Sequence, residues 1–309
     1  MKIILDEKKI RKGKPIGLPY IGSKKKISKK LIEIIKQNFG TDKTIYDLFG
    51  GGGAVTFECL LNGLNVVYND VDPIPGLMIQ KILSEDKEYL KTLICSREEF
   101  FRIKDKENKN IDDHLKLLIN SFGNNSKSYI YSQNDSEFKY SLAKQIIENH
   151  DCFERYKQTE THKRFATRKC RDNRLPQLQQ LAQLERIIRE NRTYNNLNIR
   201  RFGNTGPIKI YPNLVTENKD YKEYSDIKNS IIYLDPPYKN TLKAYNHNNL
   251  DYEEFFDWCK AMSKTNIVLI SGYDMPDDFE VVYDFTKARS TIQGGQHTDK
   301  YEKLYTTNN

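Results

Sequence analysis

No stretch of this sequence reaches the ~18 consecutive apolar residues that a membrane-spanning helix requires, so the chain is not expected to cross a bilayer. Residues 1–14 are polar and basic and hold no apolar core, which argues against a secretory signal and for a cytoplasmic location. Cysteine is sparse and scattered. Cys59, Cys95, Cys152, Cys170 and Cys259 form no close pair of the kind zinc sites use, and they read as free thiols of a reducing compartment. His114, His150, His162, His247 and His297 show no metal-ligand spacing either, so no metal is expected. There is no long internal repeat, which sets aside a repeat array.

What is present is enough apolar residue for a core, 38%, under a wet surface with 30% charged residues. A length of 309 residues favours two domains, or one large domain carrying an inserted smaller one. The net charge of +8 is unevenly spread. Residues 8–30 hold ten Lys and Arg and no acid, and residues 151–201 hold thirteen against six acids. The remainder is therefore net acidic. Segregation of this kind suggests a polyanion partner, although a merely solvated basic surface explains it about equally well.

Residues 44–49 form a short β-rich run that ends in Gly50, Gly51, Gly52 and Gly53; residues 54–62 then read as a helix, and 65–69 as a second strand that ends at Asp70. Further strands are predicted over 230–234, 266–271, 280–285 and 302–306, with a helix over 252–263 that shows Phe255, Phe256, Cys259 and Met262 on one face. Alternating strands and helices predict a doubly wound, mostly parallel α/β sheet of Rossmann-like type. The middle breaks that rhythm. Residues 121–133 are polar and rich in Asn and Tyr, 138–149 read as a helix, and 158–174 as a basic loop. A stripe of Leu175, Leu178, Leu181, Leu184, Ile187 and Ile188 then lies on one helix face, too short for a zipper and read as core. The expected layout is a catalytic domain of residues 1–111 and 202–309, with a mainly helical insertion of residues 112–201.

A strand that runs through glycines into a helix lets the backbone approach a ligand closely, though a tight turn alone explains it as well. Asp70 stands about 20 residues further on, where an acid can accept both ribose hydroxyls of a nucleoside. Dinucleotides and S-adenosylmethionine both fit that crevice. Asp235-Pro236-Pro237-Tyr238 narrows the choice. The prolines fix the backbone and remove two N–H donors, which leaves carbonyl acceptors beside the Asp235 carboxylate. Two adjacent acceptors suit an amino group. Binding both of its hydrogens frees the nitrogen lone pair to attack a methyl sulfonium and stabilises the charge that develops. Tyr238 offers a flat face for a base. A Pro-Pro turn without function would not call for the acid and the aromatic beside it.

With these motifs in place, the chain resembles the Dam-like N6-adenine DNA methyltransferases over nearly its whole length, most closely their phage-encoded branch. Tyr20-Ile21-Gly22-Ser23-Lys24 is similar to the family's aromatic-x-Gly-Gly-Lys motif, in which Tyr20 and Lys24 would help bind the methyl donor. Asp47-Leu48-Phe49-Gly50-Gly51-Gly52-Gly53 is similar to its acid-Pro-Phe-x-Gly-x-Gly motif, which implicates Asp47, Phe49, Gly51 and Gly53. Asn69-Asp70 matches the ribose-binding acid, Asp220-Tyr221 the step that flanks the donor adenine, and Asp235 to Tyr238 the catalytic motif. Arg289-Ser290 and Glu302-Lys303-Leu304 resemble the C-terminal elements. Ser23 replaces a glycine and Leu48 a proline, and the Asn-Gly-Leu-x-Arg string of enzymes that read GATC is absent.

The resemblance implies S-adenosylmethionine as donor, double-stranded DNA as partner, base flipping, and direct transfer to the N6 amino group of adenine. It leaves open a cognate restriction endonuclease. Asn124, Asn125, Lys127 and Tyr129 are expected to read bases. Lys163, Arg164, Arg168, Lys169 and Arg171 are expected to contact phosphates, which positions a duplex without reading it. The competing readings are an RNA adenine methyltransferase and a catalytically inactive DNA-binding protein of the same fold.

Overall fold

A computed structural model of the chain describes residues 3–166, 173–202, 214–237, 250–285 and 301–308, the last part of its longest helix by backbone only. Seven strands among these residues form one sheet: β1 (Ile45–Asp47), β2 (Val66–Asn69), β3 (Leu214–Glu217), β4 (Ile231–Leu234), β5 (Ile267–Gly272), β6 (Phe279–Asp284) and β7 (Lys303–Thr307), in the spatial order β3-β2-β1-β4-β5-β7-β6. The first five are mutually parallel, and β7 runs antiparallel between β5 and β6. Every residue of β2 and β4 is buried. Parallel strands covered on both faces read as continuous apolar runs, which is why these two stand out in the sequence. β3 does not stand out. It is a half-exposed edge strand whose alternation of Leu, Val, Thr and Glu leaves no apolar signature.

Helix α1 (Ser28–Phe39) packs on α2 (Ala54–Leu61), which follows the glycine turn. Chain order continues with α3 (Pro73–Ser84), α4 (Lys87–Lys91), α5 (Arg97–Lys104), α6 (Ile111–Ile119), α7 (Ser136–His150), α8 (Glu160–Ala166), α9 (Pro176–Phe202) and α10 (Tyr252–Ser263). α10 occupies the span its periodicity predicts. Asp251 caps it by accepting hydrogen bonds from the Glu253 and Glu254 amides, and Phe255, Trp258, Cys259 and Met262 pack against Ile232, Leu234, Val268 and Ile270 of the sheet. α8 replaces part of the loop expected over 158–174. The Thr159 hydroxyl accepts a hydrogen bond from the His162 amide at its start, and the buried His162 ring meets Tyr156 edge-on. That local capping is stronger than a weak apolar pattern suggests.

The chain divides into two compact units, one of residues 1–17, 22–76 and 211–309, the other of residues 18–21 and 77–210. The first holds the sheet with α1, α2 and α10. The second is helical: α4 packs on α9, α5 on α6 and α7 on α8. Residues 77–111, which the sequence assigns to the stretch before the insertion, pack with it. The stripe from Leu175 to Ile188 is buried throughout, as expected of core. Cys59, Cys95, Cys152 and Cys259 are free thiols, and Cys170 lies outside the described residues. Among the described residues no helix is long and apolar enough to cross a membrane.

Candidate active site

In the first unit the chain turns outward on both sides of β1: β2 and β3 extend the sheet one way, β4 and β5 the other. The carboxyl ends of β1 and β4 flank the switch point, where open α/β sheets bind ligands. Asp47, Asn69 and Asp70, and Asp235 lie at the ends of β1, β2 and β4, so the sheet itself brings together residues far apart in sequence.

The glycine turn is knitted to β2. The Gly50 amide donates to the Asn69 carbonyl at 2.8 Å, the Gly51 amide to Asp70 Oδ2 at 2.8 Å, and the Tyr68 hydroxyl to the Gly51 carbonyl at 2.8 Å. A β-carbon on Gly50 would sit 2.3 Å from the Tyr68 ring, and Gly51 and Gly53 have φ of 47° and 72°, in the left-handed region. These glycines are therefore dictated by packing and backbone conformation as well as by any ligand. Asn69, 1% exposed, donates to the Leu48 and Lys219 carbonyls and accepts from the Lys219 amide. It ties the ends of β1 and β2 to the segment that leads to Asp220. No pattern in the sequence signals this role, because only the fold brings Lys219 to Asn69.

Phe49 and Tyr221 come together, with ring centroids 6.0 Å apart and stacked, over Phe255 and Trp258. Tyr221 is buried, and its hydroxyl has no partner among the described residues. Asp220 is exposed and caps the short turn Tyr221–Tyr224 by accepting from the Lys222 amide. Tyr20 packs with the second unit. Tyr238, Arg289 and Ser290 lie outside the described residues.

Asp47 has a different role from the one the resemblance implies. Its carboxylate is 1% exposed, and Oδ2 accepts from the Thr56 hydroxyl at 2.6 Å and the Thr56 amide at 3.1 Å, which fastens the first turn of α2. Burial, opposed by the Thr56 bonds and reinforced by the nearby Asp235 and Asp70, raises its pKa from the ordinary 3.8 to about 7. The folded state therefore keeps the proton across a range where the unfolded chain has released it, so this group's contribution to stability falls as pH rises from about 4 to about 7 and levels off above. Asp47→Asn keeps a carbonyl acceptor and removes the titration. The variant's unfolding free energy relative to wild type should rise across that window by up to ~1.4 kcal/mol per pH unit. Thermal or urea unfolding at pH 5, 6, 7 and 8 checks this; a difference that stays constant shows that Asp47 is ionised throughout.

Lys24 and Asp235 meet at 2.7 Å, Nζ to Oδ2, with side chains 9% and 16% exposed. Lys24 Nζ also donates to the Gly22 carbonyl at 3.3 Å and lies 3.4 Å from Glu302 Oε1. Pro236 is buried, and the Pro237 carbonyl accepts from the Tyr252 hydroxyl at the start of α10. Tyr233, two residues before Asp235, shares its hydroxyl with Ser271 Oγ at 2.7 Å, and burial together with Asp235 and Glu302 drives its pKa well up. The arrangement is a nearly buried carboxylate, held by an ammonium, next to a rigid Pro-Pro backbone. It can accept hydrogens from a neutral amine. Among the described residues no group of His, Cys, Asp or Glu is placed to hold a metal ion.

In the second unit residues 121–129 form a loop closed by the Ser121–Tyr129 bridge. Its base is locked by polar side chains with no exposure. Asn120 Oδ1 accepts from the Cys95 amide and from Gln177 Nε2, and Asn120 Nδ2 donates to the Leu93 carbonyl. Tyr129 corrects the expectation that it reads bases. It is 5% exposed, donates its hydroxyl to the Cys95 carbonyl at 2.8 Å, and packs edge-on against Phe100 and Tyr131. A ring enclosed in this way anchors the loop and offers no face to a base.

Asn124 donates to the Leu118 carbonyl, and Asn125 Oδ1 accepts from the Lys127 and Ser128 amides, so both shape the turn. Lys127 is exposed, and Phe122, which no sequence pattern singles out, is 69% exposed. Lys163 and Arg164 are exposed on α8, where Lys163 pairs with Glu160 at 2.8 Å, a solvent-screened pair of little energetic weight. Arg168, Lys169 and Arg171 lie outside the described residues.

Residues 20–297 match the family model described as D12 class N6 adenine-specific DNA methyltransferase. No curated protein matches the chain.

Proposed function

Starting from the fact that the chain belongs to the D12 class N6 adenine-specific DNA methyltransferases, we propose that it takes its methyl group from S-adenosylmethionine and transfers it directly to the N6 amino group of an adenine flipped out of double-stranded DNA, with Asp235 as the acceptor for the amine hydrogens. The observation that carries this reading is the placement of Asp235 at the carboxyl end of β4, beside the switch point and in an ion pair with Lys24.

The chain's own residues suit such a donor. Asp70, at the end of β2, is the acid we assign to the ribose hydroxyls. Gly51 and Gly53 carry no side chain to block the approach of a nucleoside, and the buried Tyr221 hydroxyl beside Phe49, without a partner among the described residues, is a polar atom on an aromatic wall. When bound, S-adenosylmethionine supplies an electrophilic methyl group on a sulfonium.

The remaining work falls to the protein. Pro236 and Pro237 hold the strand end rigid, and Tyr252 secures the Pro237 carbonyl. Lys24 holds Asp235 Oδ2 in place. An ionised carboxylate has about four lone-pair sites, so one occupied by an ammonium still leaves acceptor capacity for an amine hydrogen. Accepting the amine hydrogens draws the nitrogen lone pair out of the ring and stabilises positive charge as it forms. Extruding the adenine costs a few kcal/mol. We assign that cost, and the choice of sequence, to DNA contacts of the second unit. In this proposal Lys163, Arg164, Arg168, Lys169 and Arg171 bind phosphates, and the exposed loop side chains, Lys127 first, read bases.

The test is incubation of the purified chain with radiolabelled S-adenosylmethionine and duplex DNA, followed by nucleoside analysis and methylation-sensitive sequencing. Label in N6-methyladenine within a defined motif supports the reading. Absence of label in DNA overturns it, and a parallel incubation with RNA that does take up label favours the RNA reading. On the same library, charge-removing changes at Lys163 and Arg164 should weaken all sites alike and flatten the salt dependence, by about one unit of slope for each phosphate left unneutralised. Lys127→Ala should relax the motif instead. A motif that changes with charge removal and stays sharp without Lys127 refutes this division.

A further inference from the structure

Glu302 stands immediately before β7 and is 5% exposed. Its main-chain carbonyl accepts from the Phe285 amide at 2.9 Å, which fixes the backbone at the sheet's antiparallel side, and its Oε1 lies 3.4 Å from Lys24 Nζ. Lys24 therefore faces two carboxylates, Asp235 at 2.7 Å and Glu302 at 3.4 Å, as well as the Gly22 carbonyl. We propose that Glu302 is a positioning residue for methyl transfer: it shares the ammonium of Lys24 and so keeps Asp235 oriented and strongly accepting. The inference rests on the assignment of Asp235 as acceptor.

The physical reason is one of charge. An ammonium paired with a single carboxylate in a nearly dry site withdraws electron density from it and weakens it as an acceptor. A second carboxylate on the same ammonium divides that pull. A buried glutamate is costly unless paired and hydrogen-bonded, so its presence beside Lys24 calls for a compensating role. It also limits where Lys24 can go. A three-donor head group on a flexible stem is restrained by the neighbouring Gly22 carbonyl and by Asp235 and Glu302, which come from two segments distant in sequence. Asp235 then meets its lysine in one geometry, and small misplacements of reacting groups are expensive in rate.

Steady-state methylation kinetics with the purified full chain, S-adenosylmethionine and duplex DNA test this directly. Glu302→Gln keeps the shape and a carbonyl acceptor and removes the charge. Its kcat should fall about tenfold while KM for DNA and for donor stay within about twofold. Glu302→Asp restores the charge, so kcat should recover to within about threefold of wild type. Because the effect passes through Lys24, adding Glu302→Gln to Lys24→Met should cost less than about twofold more.

Three results overturn the inference: wild-type kcat in Glu302→Gln, a loss carried by KM, or an undiminished further loss in the Lys24→Met background. Should the Gln variant fail to fold, the Asp variant decides, and a kcat below about a tenth of wild type in that variant counts against the proposal. Asp235→Ala, run alongside, separates the two readings. If it retains activity, the acceptor assignment fails and the inference with it. If it is inactive while Glu302→Gln is unimpaired, the inference alone fails.

Discussion

Asp235→Ala is expected to reduce methyl transfer by at least ~10²-fold, as for other preorganised groups that act on developing charge, while DNA binding is largely retained. The loss should appear in kcat, because the contact with the amine strengthens as its nitrogen becomes positive. The ion pair adds a second consequence. Removing Asp235 leaves Lys24, 9% exposed, with Glu302 as its nearer remaining carboxylate. Loss of one partner of a buried pair also destabilises, by up to a few kcal/mol, so turnover is to be compared at a temperature where both proteins are folded. Asp235→Asn separates the effects: its carbonyl can accept one hydrogen bond, but it does not balance Lys24. Turnover within a few-fold of wild type in the Ala variant would remove Asp235 from the mechanism.

The second large effect is expected at Asp70. Charge-assisted hydrogen bonds contribute roughly 1.5–3 kcal/mol, so Asp70→Ala should weaken S-adenosylmethionine binding by about tenfold or more. The structure makes the experiment sharper. Asp70 Oδ2 accepts from the Gly51 amide at 2.8 Å and Oδ1 from the Asp72 amide at 3.0 Å, so the Ala variant also loosens the glycine turn. Asp70→Asn can still accept from the Gly51 amide, but it loses the charge and one of the two acceptor oxygens, so the Asp72 amide faces an NH2 group. Calorimetry should therefore rank the affinities wild type, Asn, Ala. Unchanged affinity in both variants would leave the glycine turn as a structural feature alone.

Local signals in the sequence are strongest where burial on two faces leaves continuous apolar runs. β2, β4 and β5 are legible for that reason, and α10 through its periodicity. The acids at strand ends are legible because a parallel strand delivers its last residue to the ligand edge. β3 and α8 are not, since a half-exposed edge strand and a helix of seven residues carry too little pattern. Tyr129 misleads for a related reason. A tyrosine among Asn and Ser looks exposed until its hydroxyl is seen on the Cys95 carbonyl.

Residues adjacent in the chain, or a period of two or 3.6, are enough to mark the class of sheet, the glycine turn and the acids that follow β2 and β4. The partnerships arise from the folded chain: Asn69 with Lys219, Asp47 with Thr56, Asn120 with Gln177, and Lys24 with both Asp235 and Glu302. A hydrogen bond or ion pair between groups many residues apart leaves no periodic trace in either segment. The strand order that carries the ends of β1, β4 and β7 past one another exists only once the sheet has formed.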